Sequence, residues 1–570
     1  MLGFLSSTQP TVPVRAQCIA PLPLTSDLLK VFLTARIKTV DLWITLLLFC
    51  LSSCRSPDPS GSPKQTLRQD PYIQVYFNDN PASSYTEPYR HQTRSGDNLE
   101  TEILSVIGSA KSTIDVAVQE LKLPQIAQAL AKQQQAGVKV RVILENTYAQ
   151  PWSNFTPTQV NQLPAREKQR YEEFFKLVDR NGDRVLSQTE INLGDAVVIL
   201  RQAKIPIVDD KADGSQGSGL MHHKFIIVDN QSAIVTSANF THSDVFGDFS
   251  QPSSQGNANN LLKIDSPELA NLFNQEFNLM WGDGAGGKLD SQFGVKKPFR
   301  GAKTVTVGES TVTVQFSPTS KTVPWMESTN GTISNTLFGA TKQVDLALFV
   351  FSEQNIANFL ESDRQKGVQI RLLVDRDFAY RPYSDALDLM GVAIPHNCQY
   401  EPGNRPWQSP INTVGVPILP PGDLLHHKFG VIDRETVITG SHNWSAAANY
   451  NNDETLLIIR NPTVAAHFQQ EFDNLYSKSQ LGIPKKLQSQ IETGNRNCLP
   501  KVSSPVSNQR VNLNTATLAE LTALPGVGDK LAMRIVEARQ QSPFTSLEDL
   551  DRVPGIGDNL KKKLSDRITF

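Results

Sequence analysis

The sequence predicts an α/β protein of two lobes related by a pseudo-twofold axis, followed by a small all-α domain. Three observations predict it. The segment His-x-Lys-x-x-x-x-Asp occurs twice, from His222 through Lys224 to Asp229 and from His426 through Lys428 to Asp433. Each copy is followed at the same distance by a Ser-x-Asn-aromatic run, Ser237-Ala238-Asn239-Phe240 and Ser441-His442-Asn443-Trp444. After residue 484 the composition changes, and two near-repeats appear, Leu524-Pro525-Gly526-Val527-Gly528 and Val553-Pro554-Gly555-Ile556-Gly557.

The duplication extends beyond the motifs. Gly137 to Val142 parallels Gly367 to Leu372, Val75-Tyr76-Phe77 parallels Val314-Gln315-Phe316, and Ile114 to Val118 parallels Val344 to Leu348. Each half reads strand, helix, strand, helix, strand. That order predicts mixed, largely parallel sheets flanked by helices. The apolar run after each Lys reads as a strand, and alternation places His222 with Lys224, and His426 with Lys428, on one face.

These residue types suit a phosphodiester. Lysine supplies a point charge and asparagine supplies amide donors for an anionic phosphoryl group. Two facing histidines can divide the work. One attacks phosphorus, and the other protonates the leaving alcohol and then activates water. Lys224, Lys428, Asn239 and Asn443 are then the groups that stabilise charge on the equatorial oxygens. Asp229 and Asp433 read as structural, with Ser237 and Ser441 in support. A duplicated His/Lys/Asn set suits this chemistry without a catalytic metal, and no Cys/His cluster has zinc spacing.

The duplicated His-Lys-Asp motif resembles that of the phospholipase D superfamily, over roughly residues 70 to 484. The resemblance implies two lobes with a cleft between them and a covalent phosphohistidine. Both copies lie in one chain, so a monomer suffices to build the site. Superfamily members cleave phospholipids, DNA or RNA.

The halves differ in two ways. Asn452-Asp453-Glu454 resembles the family's Asn-x-Glu, whereas the first copy reads Asn257-Ala258-Asn259. A carboxylate beside a histidine favours the imidazolium. The expectation is that Glu454 keeps His426 protonated as general acid and leaves His222 neutral as nucleophile; alternatively Asp244 or Asp248 supports His222. The second difference is an insertion. Gly137 to His222 spans about 26 residues more than Gly367 to His426, a length typical of a functional loop.

Within the insertion, Asp179 to Glu190 resembles an EF-hand calcium loop. The implied ligands are Asp179, Asn181, Asp183, the Val185 carbonyl, Ser187 through water, and Glu190. Tyr171 to Val178 reads as the entering helix. Arg184 stands where glycine normally makes the turn. The implied ion is a structural or regulatory Ca2+.

At the amino terminus, Arg36 and Lys38 precede an apolar run from Leu42 to Leu51, which suits a signal-peptide core. Leu51-Ser52-Ser53-Cys54 resembles a bacterial lipobox, with Cys54 as the acylated residue. A start downstream of Met1, and an uncleaved anchor or another export route, stay open. Export, as a membrane-anchored lipoprotein or a periplasmic or extracellular protein, would permit a Cys398–Cys498 disulfide.

The carboxyl-terminal segment resembles the helix-hairpin-helix module of DNA-uptake competence proteins, including Val511-Asn512-Leu513-Asn514-Thr515-Ala516. That resemblance implies contact with the DNA backbone through Gly526, Gly528, Lys530, Gly555 and Gly557. Nine Lys/Arg against eight Asp/Glu from Arg510 to Phe570 give a net charge of only +1, so any basic patch is local. Arg534, Arg539 and Lys561 to Lys563 are the residues expected to form it.

The expected organisation is a signal and lipobox region 1–54, a linker 55–70, lobe 1 at 71–284 with the EF-hand-like insertion 165–192, lobe 2 at 300–484, a linker 485–509 and a DNA-binding module 510–570. A net charge of −2 over 570 residues gives no whole-chain bias toward nucleic acid. The functional expectation is an exported phosphodiesterase acting on the DNA or RNA backbone. The alternative is a phospholipase D hydrolysing membrane phospholipids to phosphatidic acid and a free head group.

Overall fold

The computed structural model describes residues 66–211, 219–395, 399–401, 403–489, 491, 510–522 and 524–570. Cys54, Cys398 and Cys498 lie outside the described residues, as do the signal and lipobox region and most of both linkers.

Each half forms one mixed sheet flanked by helices. Among the described residues the first sheet runs Ile73–Phe77, Asn260–Asp265, Ser232–Thr236, Lys224–Val228, Thr113–Val118, Lys139–Leu144, Ile207–Asp209. The second repeats this order with Ser310–Ser317, Asn452–Arg460, Thr436–Gly440, Lys428–Ile432, Gln343–Leu348, Gln369–Val374, Val414–Pro417, and adds Lys303–Val307 and Ser479–Leu481 at its edges. The matched segments read from the sequence therefore occupy equivalent strands.

Parallel pairing is narrower than the sequence suggested. It joins Thr113–Val118, Lys139–Leu144 and Ile207–Asp209 in the first sheet, and their equivalents in the second. The motif strand Lys224–Val228 is antiparallel to both neighbours. The reason is connection length. Only Asp229 to Gln231 separates it from Ser232–Thr236, and a link that short can join only antiparallel strands.

The motif strands are buried on both faces, and their side chains alternate between two cores. Phe225 and Ile227 enter a core shared with Phe429 and Val431 of the other lobe. Ile226 and Val228 enter the outer core of lobe 1. Helices Pro267–Trp281 and Pro462–Ser477 supply Phe273, Phe277, Phe468 and Phe472 to the shared core. Burying such side chains contributes roughly 1.5–3 kcal/mol each, so the lobes are held together by the same strands that carry the motifs.

Asp229 and Asp433 sit just after these strands at φ of +53° and +52°. Asp229 accepts from the backbone N–H groups of Lys111, Ser112 and Thr113 at 2.7–2.9 Å. Asp433 accepts from those of Thr341, Lys342 and Gln343 at 2.8–2.9 Å. Each carboxylate thus pins the start of its lobe's central strand to the end of the motif strand.

Residues 511–569 build a small helical unit around its own core of Leu513, Leu521, Ile535, Phe544, Leu550 and Leu564. Gly526 and Gly555 take φ of +88° and +104° in its two hairpins, where other residues would be strained.

Candidate active site

The lobes exchange their ends. Leu220–Met221 pairs in parallel with Asn452 and Asp453, and Leu425 bridges Ala258. The His222 N–H donates to the Asp453 carbonyl at 3.0 Å, and the His426 N–H to the Ala258 carbonyl at 3.1 Å. This cross-pairing brings His222, Asn239, His426 and Asn443 onto one cavity of about 740 Å3.

The exchange overturns the expected pairing of Glu454 with His426. Glu454 Oε2 lies 2.7 Å from His222 Nδ1, and Ser441 Oγ donates to the same oxygen at 2.7 Å. In the mirror arrangement, Asn259 Oδ1 lies 3.0 Å from His426 Nδ1 and accepts from Ser237 Oγ at 2.7 Å. Each Asn-x-Glu or Asn-x-Asn residue is held by the serine of its own lobe and faces the histidine of the other. Asp244 does not support His222 either. Its Oδ1 approaches His426 Nδ1 at 3.8 Å, and its Oδ2 accepts from the Asn239 backbone N–H at 2.8 Å. Asp248 lines the cavity, and burial raises it above the usual carboxylate value.

Tautomers follow from these acceptors. A carboxylate or an amide oxygen on Nδ1 requires Nδ1–H, which leaves Nε2 of each neutral ring with its lone pair. The Asn259 amide is oriented by its Nδ2, which donates to the carbonyls of Asp244 at 3.1 Å and Asn257 at 3.0 Å. Burial, then Lys224 and Lys428, hold His222 well below the usual histidine pKa. Burial, then Lys428 and Lys224, do the same to His426. Burial raises Glu454, against the pull of His442 and Lys224.

Lys224 and Lys428 are buried, each with its Nζ donating to the carbonyl of the histidine two residues earlier, at 2.8 and 2.6 Å. Burial pushes Lys224 down to about 8 and Lys428 well below the usual lysine value. The Oδ1 atoms of Asn239 and Asn443 are buried without a hydrogen-bond partner. Rotating either amide by 180° presents Nδ2 there instead, a donor suited to a non-bridging phosphate oxygen. A pH dependence follows. As pH rises through about 8 the Lys224 ammonium loses its proton and its attraction for the anion, so kcat/KM should fall over that range. Lys224→Arg should move that limb upward; an unmoved limb would assign it to another group.

Several residues at the site were not singled out from the sequence. His223 joins Thr455 Oγ1 at 2.8 Å and Glu276 Oε1 at 3.2 Å. His427 joins Glu471 Oε1 at 2.9 Å. Lys297, from the segment between the lobes, bonds Glu276 and contacts Asp453 Oδ1 at 2.6 Å, one residue from Glu454. The doubled histidine in both motifs and the repeated Gln-Glu-Phe, at Gln275-Glu276-Phe277 and Gln470-Glu471-Phe472, were legible signals of this layer.

The insertion forms part of the cleft. Helix Ala165–Val178 puts Arg166, Gln169, Arg170, Glu173 and Phe174 on the cavity wall and runs into Asp179. The loop closes onto helix Gln188–Gly194 through a Ser187–Glu190 capping box. Arg184 takes φ of +64°, the conformation the usual glycine would adopt. The oxygen donors Asp179, Asn181, Asp183 and Glu190 suit a hard cation. Here they accept backbone N–H groups of the loop itself, with Asp179 bonding Gly182 and Arg184 and Glu190 bonding Arg180 and Asn181. Among the described residues no three acidic or histidine side chains gather as a metal-binding group.

In the carboxyl-terminal unit, Gly528 and Gly557 are exposed and cap helices Asp529–Gln541 and Asp558–Leu564, and Lys530 is exposed beside the first. The expected basic cluster is only partly available. Arg534 donates to the Pro554 carbonyl, Arg539 to those of Leu513 and Ala516, and Lys561 pairs with Asp551 and Asp558. Arg534 thus serves a hairpin carbonyl, Arg539 the segment that enters the unit, and Lys561 two carboxylates. Lys562 and Lys563 are exposed.

The chain matches the model described as cardiolipin synthase, PLD-like domain, at residues 103–281 and 333–476, and a helix-hairpin-helix motif at 506–569. It is 30% identical over 144 residues to the mitochondrial cardiolipin hydrolase of Xenopus laevis, covering 25% of this chain and 58% of that protein. It is 28% identical over 142 residues to a phospholipase D of Rickettsia felis, covering 25% of this chain and 61% of that one. Against the phosphatidylserine synthase structure of Haemophilus influenzae Rd KW20 the TM-score is 0.44 at 12% identity, over 75% of this chain and 94% of that one. The chain spans 54–62% of the length of the first curated relatives it matches. The family match takes in both halves, and the motif histidine and the following Asn of each half, His222 with Asn239 and His426 with Asn443, line one cavity. The chain therefore belongs to the phospholipase D-like domain family.

Proposed function

We propose that this protein is a phosphoric diester hydrolase that cleaves nucleic acid, with His222 as nucleophile. Glu454 on Nδ1 stabilises the positive charge that His222 acquires as Nε2 attacks phosphorus. As the N–P bond forms, the P–O bond to the leaving alcohol breaks, and that oxygen takes a proton from His426 Nε2. The bound diester's negative charge favours the protonated form of His426, which burial alone disfavours. His426, now neutral, removes a proton from water. The water oxygen bonds to phosphorus, the N–P bond breaks, and His222 is restored. Lys224, Lys428, Asn239 and Asn443 stabilise the equatorial oxygens in both steps.

The observation that carries the nucleic-acid reading is the helix-hairpin-helix motif attached to the catalytic lobes. The exposed turn at Gly528 and Lys530 supports phosphate contact without reading of sequence. The cleft walls are polar and charged, with the exposed Arg166, Arg376 and Arg381 among them beside carboxylates such as Glu167, Glu173 and Asp377. The second reading, phospholipid hydrolysis, is favoured by the names of the relatives, cardiolipin hydrolase and phospholipase D. Plasmid DNA and phosphatidylcholine vesicles, each offered to the full chain and to a chain ending at residue 509, separate the two. The nuclease reading expects DNA cleavage at low salt that weakens at least about 10-fold without the module, a difference that shrinks as salt is raised. Vesicle hydrolysis with intact DNA would reverse the order of the readings.

We propose in addition that the loop Asp179–Glu190 holds a structural Ca2+, its oxygen donors and the Arg184 backbone being the support. Calcium is expected to raise the melting temperature by several degrees, and Glu190→Gln to abolish that gain. Catalysis is expected to persist in chelator, because His222, His426 and the two lysines supply the nucleophile, the acid and the counter-charge. Strict dependence of the chemical step on added metal would contradict this.

A further inference from the structure

The two ends of the cleft are built from different chemistry. In lobe 1 the position after the central strand is Gln119, whose Oε1 accepts from Lys224 Nζ at 3.3 Å. The cations beyond it are already engaged. Glu120 takes both Lys122 at 3.3 Å and Arg170 at 2.9 Å, and Lys122 lies 3.0 Å from the Trp152 ring centroid. In lobe 2 the equivalent position is Phe349. Its ring packs edge-on against His426 at 4.9 Å and against Phe378 at 4.6 Å. Three rings thus lead outward from a histidine of the site to Phe378, which is half-buried and lines the cavity. Arg376 and Arg381 flank Phe378 on the same wall and are exposed. Arg381 Nε donates to the Asp377 carbonyl at 2.7 Å, and neither guanidinium is held by a carboxylate among the described residues.

We propose that this end is a nucleoside subsite on the leaving-group side, where a base stacks on Phe378 and an adjoining phosphate meets Arg376 and Arg381. The proposal rests on the nuclease reading and deepens it. His426 protonates the leaving oxygen, so the part of the substrate bearing that oxygen lies on the His426 side, against this ladder. Aromatic rings interleaved with cations suit single-stranded nucleic acid, because every base has a stacking face and every linkage a charge. Guanidinium forks match phosphate oxygens in pairs. At the lobe 1 end Tyr148 and Phe174 also line the cavity, with Lys122 over the Tyr148 ring, but among the described residues no ring packs against His222, so the ladder that starts at a site histidine belongs to the lobe 2 end and gives the cleft a direction.

The test uses the full chain and dinucleotides with a single scissile diester. One is intact; the other is abasic on the leaving-alcohol side, which the product ends identify. The native protein is expected to favour the intact substrate about 10-fold or more in kcat/KM. Phe378→Leu, which keeps bulk without a stacking face, should bring that ratio close to one, and Phe378→Trp should preserve it. Because the readout is a ratio within one protein, partial loss of folding does not mimic the result. A native ratio near one, or an unchanged ratio in Phe378→Leu, overturns the subsite. If the native protein cleaves neither dinucleotide but hydrolyses phospholipid vesicles, the nuclease reading has failed, and the subsite falls with it.

Discussion

Replacement of His222 by alanine is expected to lower kcat on the order of 10⁴–10⁶-fold, the scale of losing a covalent nucleophile. The fold should survive. The His222 side chain lines the cavity, and the partner it leaves, Glu454 Oε2, keeps its hydrogen bond from Ser441 Oγ. Matched melting curves with collapsed turnover is the predicted combination. Retention of activity would show that the covalent scheme is wrong. His426→Ala removes the acid rather than the nucleophile. With a substrate whose leaving group needs no proton, such as a nitrophenyl diester, it should still release the first product in a burst and stall before hydrolysis, whereas His222→Ala should show no burst with that substrate.

Glu454→Gln carries the second large effect, a loss of roughly 10²–10⁴-fold in kcat with KM less affected. The amide preserves shape and can still accept from His222 Nδ1–H, as Asn259 does from His426 at 3.0 Å. What disappears is the charge that offsets the cation formed on His222 during attack. The substitution therefore separates electrostatic support from simple positioning. A Glu454→Gln protein as fast as the native one would remove the carboxylate from the mechanism and make the two lobes equivalent in role.

The outcome at Glu454 shows what sequence reveals and what it hides. The repeat, the sheet components and the His/Lys/Asn set were legible because identical spacings must occupy identical strands. The asymmetry between Glu454 and Asn259 was legible too. Its direction was not, because spacing within one chain segment cannot show that Asn452–Asp453 crosses to pair with Leu220–Met221. The expected pairing of Glu454 with His426 was reversed, and the proposal of His222 as nucleophile now rests on the carboxylate facing that ring. Asp229 and Asp433 read as structural from the sequence, and their backbone partners came only with the fold. Lys297 was invisible in sequence, since it gains its role by lying between Glu276 and Asp453. Phe349 was hidden in an apolar run that reads simply as strand. Its importance lies in what its counterpart is, Gln119, and that contrast needs the two sheets superposed. Arg534, Arg539 and Lys561 looked like phosphate contacts by charge, and in the fold they are engaged within the unit, the arginines by backbone carbonyls and Lys561 by Asp551 and Asp558.

In the proposed mechanism the two histidines are unequal, with His222 attacking under the support of a carboxylate from the opposite lobe. Rapid denaturing quench at alkaline pH during turnover, followed by peptide mass spectrometry, reads the site of phosphorylation. The phosphoryl adduct is expected on the peptide bearing His222, absent from Glu454→Gln at early times, and accumulating in His426→Ala when the substrate is a nitrophenyl diester, whose leaving group needs no proton. An adduct on His426 in the native protein would contradict it.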